Sequence, residues 1–140
     1  MKNVAIAAVL AAVAWGGAAA AQDAAAGEEL FARRCSTCHM IVDDAGDTVV
    51  KGGRTGPNQW GVIGRQAGSR ADFDRYGDAL VAAGESGLVW TEDEVVKYLE
   101  DPRGYLREYL GDSGARSRMA FKLSKADERA NVAAYLATMQ

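Results

Sequence analysis

Between residues 40 and 91 the sequence carries ten of the chain's sixteen glycines and no sustained periodic run. A compact domain seldom contains a structureless stretch of that length. Disorder would account for the glycines, but Trp60, Val62, Ile63, Phe73, Tyr76, Leu88 and Trp90 are spread through the same stretch, and disordered segments are poor in such residues. The requirement is therefore an ordered, glycine-rich loop system that wraps something other than itself. The 140 residues suffice for one domain, and 49% hydrophobic with 25% charged residues is the composition of a folded globular protein.

Three stretches elsewhere read as amphipathic helices. Gly27, Leu30, Phe31 and Cys35 recur at i, i+3, i+4 and i+8, sharing one face that leads into a cysteine pair. Thr91 with Glu94 three residues later predicts a capping box, in which the two side chains each satisfy a free backbone N–H. The helix it opens carries Val95, Tyr98 and Leu99 on one face and stops near Pro102, which disfavours helix in the residue before it. A third helix starts around Ser124 and places Asp127 and Glu128 in its first turn, where the helix dipole favours anions. Its apolar face is Val132, Tyr135, Leu136 and Met139. Shorter helical turns are expected over residues 72–83 and 103–110. No strand periodicity is visible, so the fold class is all-α.

Residues 1–21 stand apart. Lys2 precedes an apolar run over residues 4–15, then Gly16, Gly17 and a string of alanines, with Ala19 and Ala21 forming an A-x-A cleavage site before Gln22. The apolar run is shorter than the roughly 20 residues a membrane span needs. The expectation is a signal peptide at 1–21 and one domain at 22–140, exported from the cytoplasm; an uncleaved anchor is the alternative. Removing Lys2 from 16 basic residues leaves 15 against 19 acidic, a formal charge of −4 that argues against nucleic acid as a partner.

The two cysteines and the single histidine form one motif, Cys35-Ser36-Thr37-Cys38-His39, the C-x-x-C-H signature of c-type haem attachment. Two thiols three positions apart at a helix end can each add to one haem vinyl group, which brings the adjacent imidazole under the iron. Other uses of the motif explain less. A structural zinc site usually takes four Cys or His ligands and the chain owns three. A redox dithiol suits a βαβ setting that this sequence lacks. A plain disulfide fits an oxidising compartment but leaves His39 and the wrapped loop unexplained.

With one histidine, a second imidazole ligand is excluded, and the distal position falls to methionine, lysine, water or nothing. Met1 lies in the signal segment, Met40 is bonded to His39 and cannot reach the opposite haem face, and Met139 belongs to the last helix. Met119 remains, in the aperiodic segment Arg116-Ser117-Arg118-Met119-Ala120-Phe121. Core packing is the usual role of a lone methionine. A thioether ligand stabilises Fe(II) and raises the potential, and two occupied axial positions favour electron transfer over oxygen chemistry.

Taken in order, these residues resemble the class I c-type cytochromes, the cytochrome c2 branch of purple bacteria in particular. The likeness runs from residues 27–31 through the C-x-x-C-H motif, Thr55-Gly56-Pro57-Asn58, Gly64-Arg65, Trp90-Thr91, Tyr98-Leu99 before Asp101-Pro102, and Met119-Ala120-Phe121, to Ala134-Tyr135-Leu136. The resemblance implies the class I fold, with the first and last helices crossing and Gly27 allowing close approach to Tyr135 and Leu136, around one haem c bound covalently by Cys35 and Cys38. It implies His39 and Met119 as metal ligands and Pro57 as carbonyl acceptor for the imidazole N–H. It also implies Arg65, Tyr76 and Trp90 beside the haem carboxylates, Tyr98 near the methionine sulfur, and Phe121 at the exposed haem edge. Two departures stand out. Residues 105–119 are longer than in mitochondrial cytochromes c, and arginines outnumber lysines where the family docks through lysines.

The function so implied is that of a soluble, monomeric, periplasmic one-electron carrier rather than an enzyme, shuttling from a cytochrome bc complex to a photosynthetic reaction centre or terminal oxidase. A haem enzyme such as a peroxidase would need a displaceable distal ligand and nearby acid–base groups; a sensor or an anchored cytochrome subunit is a third reading. Arg116, Arg118, Lys122 and Lys125 gather around Met119 with no acidic residue in 113–125, whereas Glu92, Asp93, Glu94, Glu100 and Asp101 concentrate elsewhere. A positive face for transient electrostatic docking is expected there despite the acidic total.

Overall fold

Asp23 opens the first helix by accepting from the backbone N–H groups of Ala25 (2.9 Å) and Ala26 (3.1 Å), donors that a helix N-terminus leaves unpaired. The structure, a computed structural model, describes residues 22–140, and the signal segment expected at 1–21 lies outside the described residues. Helix α1 (Ala24–Leu30) continues into a wider π-type turn, Phe31–Cys35, that delivers the first cysteine. Its buried residues are Gly27, Leu30 and Phe31, the face expected from their spacing. That face crosses α5 (Ala126–Ala137), with the Phe31 and Tyr135 ring centroids 5.8 Å apart. Gly27 sits where the backbones touch: a Cβ there would lie 2.0 Å from the Asn131 carbonyl oxygen and 2.9 Å from Tyr135 Cβ. Asn131 also accepts from the Asp23 N–H at 2.9 Å, fixing the register of the crossing.

Helices α2 (Asp78–Glu85), α3 (Glu92–Glu100) and α4 (Pro102–Leu110) fill the middle of the chain. Thr91 caps α3 by accepting from the Glu94 N–H at 3.2 Å, but the reciprocal half of the capping box does not form. The Glu94 carboxylate is drawn instead to Lys97 at 2.9 Å and to the Tyr105 hydroxyl on α4. Asp101 separates the two helices in extended conformation (φ −154°) and caps α4 by accepting from the Gly104 N–H at 3.1 Å, with Pro102 in the first turn, where a missing N–H costs nothing. The stop expected at Pro102 is thus a corner between two helices.

The fold is helix-rich as expected, and among the described residues it adds a short antiparallel ribbon, β1 (Ile41–Val42) with β2 (Thr48–Val50), and an isolated bridge between Gln66 and Val89. Strands of two and three residues carry no readable alternation. Asn58 continues the ribbon with its side chain, accepting from the Val42 N–H at 3.0 Å and donating to the Val42 carbonyl at 2.8 Å. The core gathers Leu30, Phe31, Ile41, Leu88, Trp90, Val95, Leu99, Leu106, Leu123, Val132 and Leu136 between the α1–α5 crossing and the α3–α4 corner.

Two outcomes are expected from this packing. Gly27→Ala should destabilise the protein by about 1–3 kcal/mol in urea denaturation, because the methyl group forces the two helix backbones apart. Tyr105→Phe should cost about 1 kcal/mol at neutral pH. The Tyr105 hydroxyl and then Lys97 hold the Glu94 carboxyl below its ordinary value of 4.5, so this contribution is complete above that value and is lost as pH falls through the lower folded one. The gap between wild type and Tyr105→Phe in denaturation midpoints should therefore narrow on acidification below pH 4.5.

Candidate functional site

The end of α1 turns back on itself through Cys38 N–H to the Cys35 carbonyl (3.1 Å) and His39 N–H to the same carbonyl (2.9 Å), presenting Cys35, Cys38 and His39 on one turn. The glycine-rich segment clasps this turn. Gly53 N–H donates to the Ser36 carbonyl at 2.8 Å and Gly56 N–H to the Cys38 carbonyl at 2.9 Å. A Cβ at Gly52 would lie 2.0 Å from the His39 carbonyl oxygen, at Gly53 2.2 Å from that of Thr37, and at Gly56 2.2 Å from His39 Cε1. Three of the glycines are therefore required because backbone lies directly against backbone or imidazole. Sequence reading recognised the glycine excess but not which positions bear on the motif.

His39 Nδ1 donates to the Pro57 carbonyl at 2.8 Å. Gln59 Nε2 donates to the same carbonyl at 3.0 Å and lies 3.1 Å from Nδ1, a contact between two donors sharing one acceptor. With the proton on Nδ1, the Nε2 lone pair is free for a metal, and the hydrogen bond fixes the ring orientation. Burial lowers the imidazole pKa, against the opposing effect of the Pro57 bond, so the neutral ligating form is favoured. Burial also pushes the Cys35 thiol up to about 11, with the Arg34 charge opposing. A nucleophilic redox dithiol needs the reverse shift. Cys35 is half-buried and Cys38 is exposed.

Arg65, Tyr76 and Trp90 come together in a second group. Trp90 is buried and pinned by its N–H to the Arg65 carbonyl (2.9 Å) and by its carbonyl to the Gly64 N–H (2.7 Å). Arg65 Nη2 and Arg70 Nη1 both donate to the Trp60 carbonyl, at 2.7 and 3.0 Å. Arg70 pairs with Asp72 at 2.6 Å while its own side chain is only 15% exposed. Burial and the neighbouring Arg70 charge lower the Arg65 pKa, and burial raises that of Tyr76. Arg65 and Arg70 share a cavity with Asp44 and Asp72, and their guanidinium groups are the donors there that an anionic group could meet. Arg70 was missing from the sequence reading, since a loop arginine five residues after another carries no distinguishing pattern.

Tyr98, Met119 and Phe121 form the third group. Met119 lies in the loop of residues 111–125, as its aperiodic sequence predicts. Ser117 Oγ accepts from the Met119 N–H at 3.1 Å and is 3.2 Å from the hydroxyl of buried Tyr98. Further along, Leu123 N–H donates to the Leu99 carbonyl at 2.8 Å, and buried Arg129 donates to the carbonyls of Leu123 (2.9 Å) and Ser124 (2.7 Å). Phe121 is half-buried beneath the Arg34 guanidinium, 5.4 Å from its ring centroid, so the methionine loop reaches the residue before Cys35. Ser117 and Arg129 were not legible as site residues.

The basic cluster is partly neutralised. Lys122 pairs with Asp101 at 2.8 Å and Lys125 with Glu128 at 3.1 Å, whereas Arg116 and Arg118 are exposed with no ion pair among the described residues. No helix of the described residues is long and apolar enough to cross a membrane.

No protein-family model matches the chain. It is 60% identical over 117 residues to cytochrome c-551 of Roseobacter denitrificans, covering 84% of this chain and 81% of that protein. Over 139 residues it is 47% identical to cytochrome c2 of Rhodobacter capsulatus, covering 99% and 98%. Among solved structures, cytochrome c2 of Rhodobacter sphaeroides matches with a TM-score of 0.81 at 46% identity, covering 84% of this chain and 95% of that one.

Proposed function

The chain belongs to the class I c-type cytochromes, in their cytochrome c2 branch, and from that premise we propose that it carries single electrons through one haem c held by Cys35, Cys38, His39 and Met119. The observation that carries this reading is the Nδ1 bond of His39 to Pro57, which dedicates Nε2 to a ligand. The clasped C-x-x-C-H turn and the guanidinium donors of Arg65 and Arg70 fit a covalently attached group bearing carboxylates. Bound there, haem supplies a one-electron couple between Fe(II) and Fe(III).

The protein's own part in that exchange is to keep the ligands still. Pro57 and Gln59 fix the imidazole; Ser117, Tyr98 and Arg129 fix the loop that presents the Met119 thioether. Trp90, held by backbone hydrogen bonds to Gly64 and Arg65, and partly buried Tyr76 would line the end of the site that takes the carboxylates. Phe121 forms the edge across which a partner approaches. In this reading the protein is an electron-transfer protein rather than an enzyme, exported to the periplasm after loss of residues 1–21 and acting as a monomer. Its donor is a cytochrome bc complex and its acceptor a photosynthetic reaction centre or terminal oxidase, engaged by transient electrostatic docking.

Met119→Ala should abolish the far-red sulfur-to-iron charge-transfer absorption of the ferric protein and lower the potential by a part of the roughly 0.8 V range that axial ligands control. Survival of the band would remove Met119 from the ligand set. Haem should stay with the polypeptide through acid–acetone extraction, and extractable haem would rule out attachment at Cys35 and Cys38.

The ion pairs sharpen the docking expectation. Arg118→Glu should reduce the bimolecular electron-transfer rate with an acidic partner, and its salt dependence, more than Lys122→Glu, because Lys122 already faces Asp101. Stopped-flow rates across ionic strengths at which the Debye length falls from about 30 to about 10 Å would check this, and equal effects of the two reversals would contradict it.

A further inference from the structure

The hydrogen bond that orients His39 has a second donor beside it. The Pro57 carbonyl can only accept, so the proton lies on His39 Nδ1, which donates to it at 2.8 Å. Gln59 Nε2 donates to the same oxygen at 3.0 Å and stands 3.1 Å from Nδ1. The opposite setting of this amide is excluded, since it would press the Gln59 carbonyl oxygen against that of Pro57 with no proton between them. The residue is held there by its backbone: Gln59 N–H donates to the Met40 carbonyl at 3.0 Å, and its carbonyl accepts from the Val62 N–H at 3.2 Å. The neighbouring amide of Asn58 is spent on the Val42 backbone and the Trp60 N–H, which is a structural use. Gln59 instead competes with the histidine for one acceptor.

We propose that Gln59 raises the reduction potential of the site by drawing the Pro57 carbonyl away from His39. The inference rests on the haem-protein reading above. Gln59 is a positioning residue, acting through His39 and Pro57 rather than as a ligand. An acceptor on the outer N–H of a metal-bound histidine makes the ring a more basic ligand. A second donor draws on the same carbonyl lone-pair density, so Nδ1 keeps more of its proton and Nε2 gives less charge to a metal. The positive end of the Gln59 amide dipole also faces Nδ1, where it opposes a growing positive charge on the ring and its metal. Both effects weigh more on Fe(III) than on Fe(II). Hydrogen bonding around an axial ligand is one of the means by which a protein tunes a haem couple.

The test measures the midpoint potential of the haem-bearing protein at neutral pH, and the proton resonance of His39 Nδ1–H in the reduced, diamagnetic form. Gln59→Leu removes the competing donor. It should shift the potential negative and move the Nδ1–H resonance downfield as the Pro57 bond strengthens. Gln59→Glu keeps the length and shape of the side chain but sets an acceptor beside Nδ1, and should shift the potential further negative than Gln59→Leu does.

A purely structural role would lower the denaturation midpoint and leave potential and resonance unchanged, which overturns the proposal. So does a positive shift in Gln59→Leu, the sign expected of an amide whose oxygen faces Nδ1. Should Gln59→Leu fail to fold, Gln59→Glu decides alone, and a potential at or above that of the wild type overturns the proposal. Acid–acetone extraction of a parallel sample separates the two readings. Extractable haem overturns the haem reading and this inference with it, whereas retained haem with an unshifted potential overturns the role of Gln59 only.

Discussion

The hydrogen bond from His39 Nδ1 to the Pro57 carbonyl is the constraint on which the rest of the site depends. It can form only if the segment carrying Pro57 lies flat against the imidazole, and that approach is open only because residue 56 has no Cβ. The same segment must then reach the C-x-x-C-H turn, which it does through the amide groups of Gly53 and Gly56. Beyond Pro57 the chain is held by the Asn58 side chain on β1 and by the Gly61 N–H on the Met139 carbonyl at 2.6 Å. The C-x-x-C-H turn, the loop that orients it and the C-terminal end of the chain form one hydrogen-bonded unit.

How much of this could be read in advance depended on whether a residue's role left a periodic or combinatorial trace. The α1–α5 crossing did: apolar residues at helical spacing and a glycine among them predict a tight helix contact, and Gly27 meets Asn131 as that pattern requires. The C-x-x-C-H motif needed no fold to be recognised. The capping box at Thr91 was legible only in its local half, because Glu94 is claimed by Tyr105 from another helix, and tertiary competition leaves no mark in a four-residue window. Gln59, Arg70 and Ser117 were invisible for a related reason. Each is a loop polar residue whose partner is a backbone carbonyl or amide, two residues away for Gln59 and Ser117 and ten for Arg70, and any polar side chain at that position would look the same in sequence.

The α3–α4 corner links the loop of residues 111–125 to the packed rings of Trp90, Tyr98, Tyr105 and Tyr109. Asp101 lies extended between the helices, caps α4 with one carboxylate oxygen and receives Lys122 on the other. Tyr98 from α3 reaches Ser117, and Arg107 Nε from α4 donates to the Ala115 carbonyl at 3.2 Å. The loop is thus tied to both helices that carry the stacked rings. Helix α4 packs against α3 with Tyr105 over Tyr98 and Trp90 and with Tyr109 exposed one turn further on.

A thioether is a weak ligand, so a carrier that relies on one must supply through the polypeptide the rigidity that the bond itself lacks. Hydrogen bonds of this kind contribute about 1 kcal/mol each, too little singly to hold a fifteen-residue loop. Their arrangement matters more than their number. Ser117 is held from α3, Ala115 from α4, and the carbonyls of Leu123 and Ser124 from Arg129 on α5, so the loop is tethered from three elements that the core already fixes relative to one another. Releasing one tether leaves the other two, and displacement of Met119 requires the loop to leave all three. In the proposed function such a site exchanges an electron with little movement of His39 and Met119, because the groups that would have to move are bonded to the packed core.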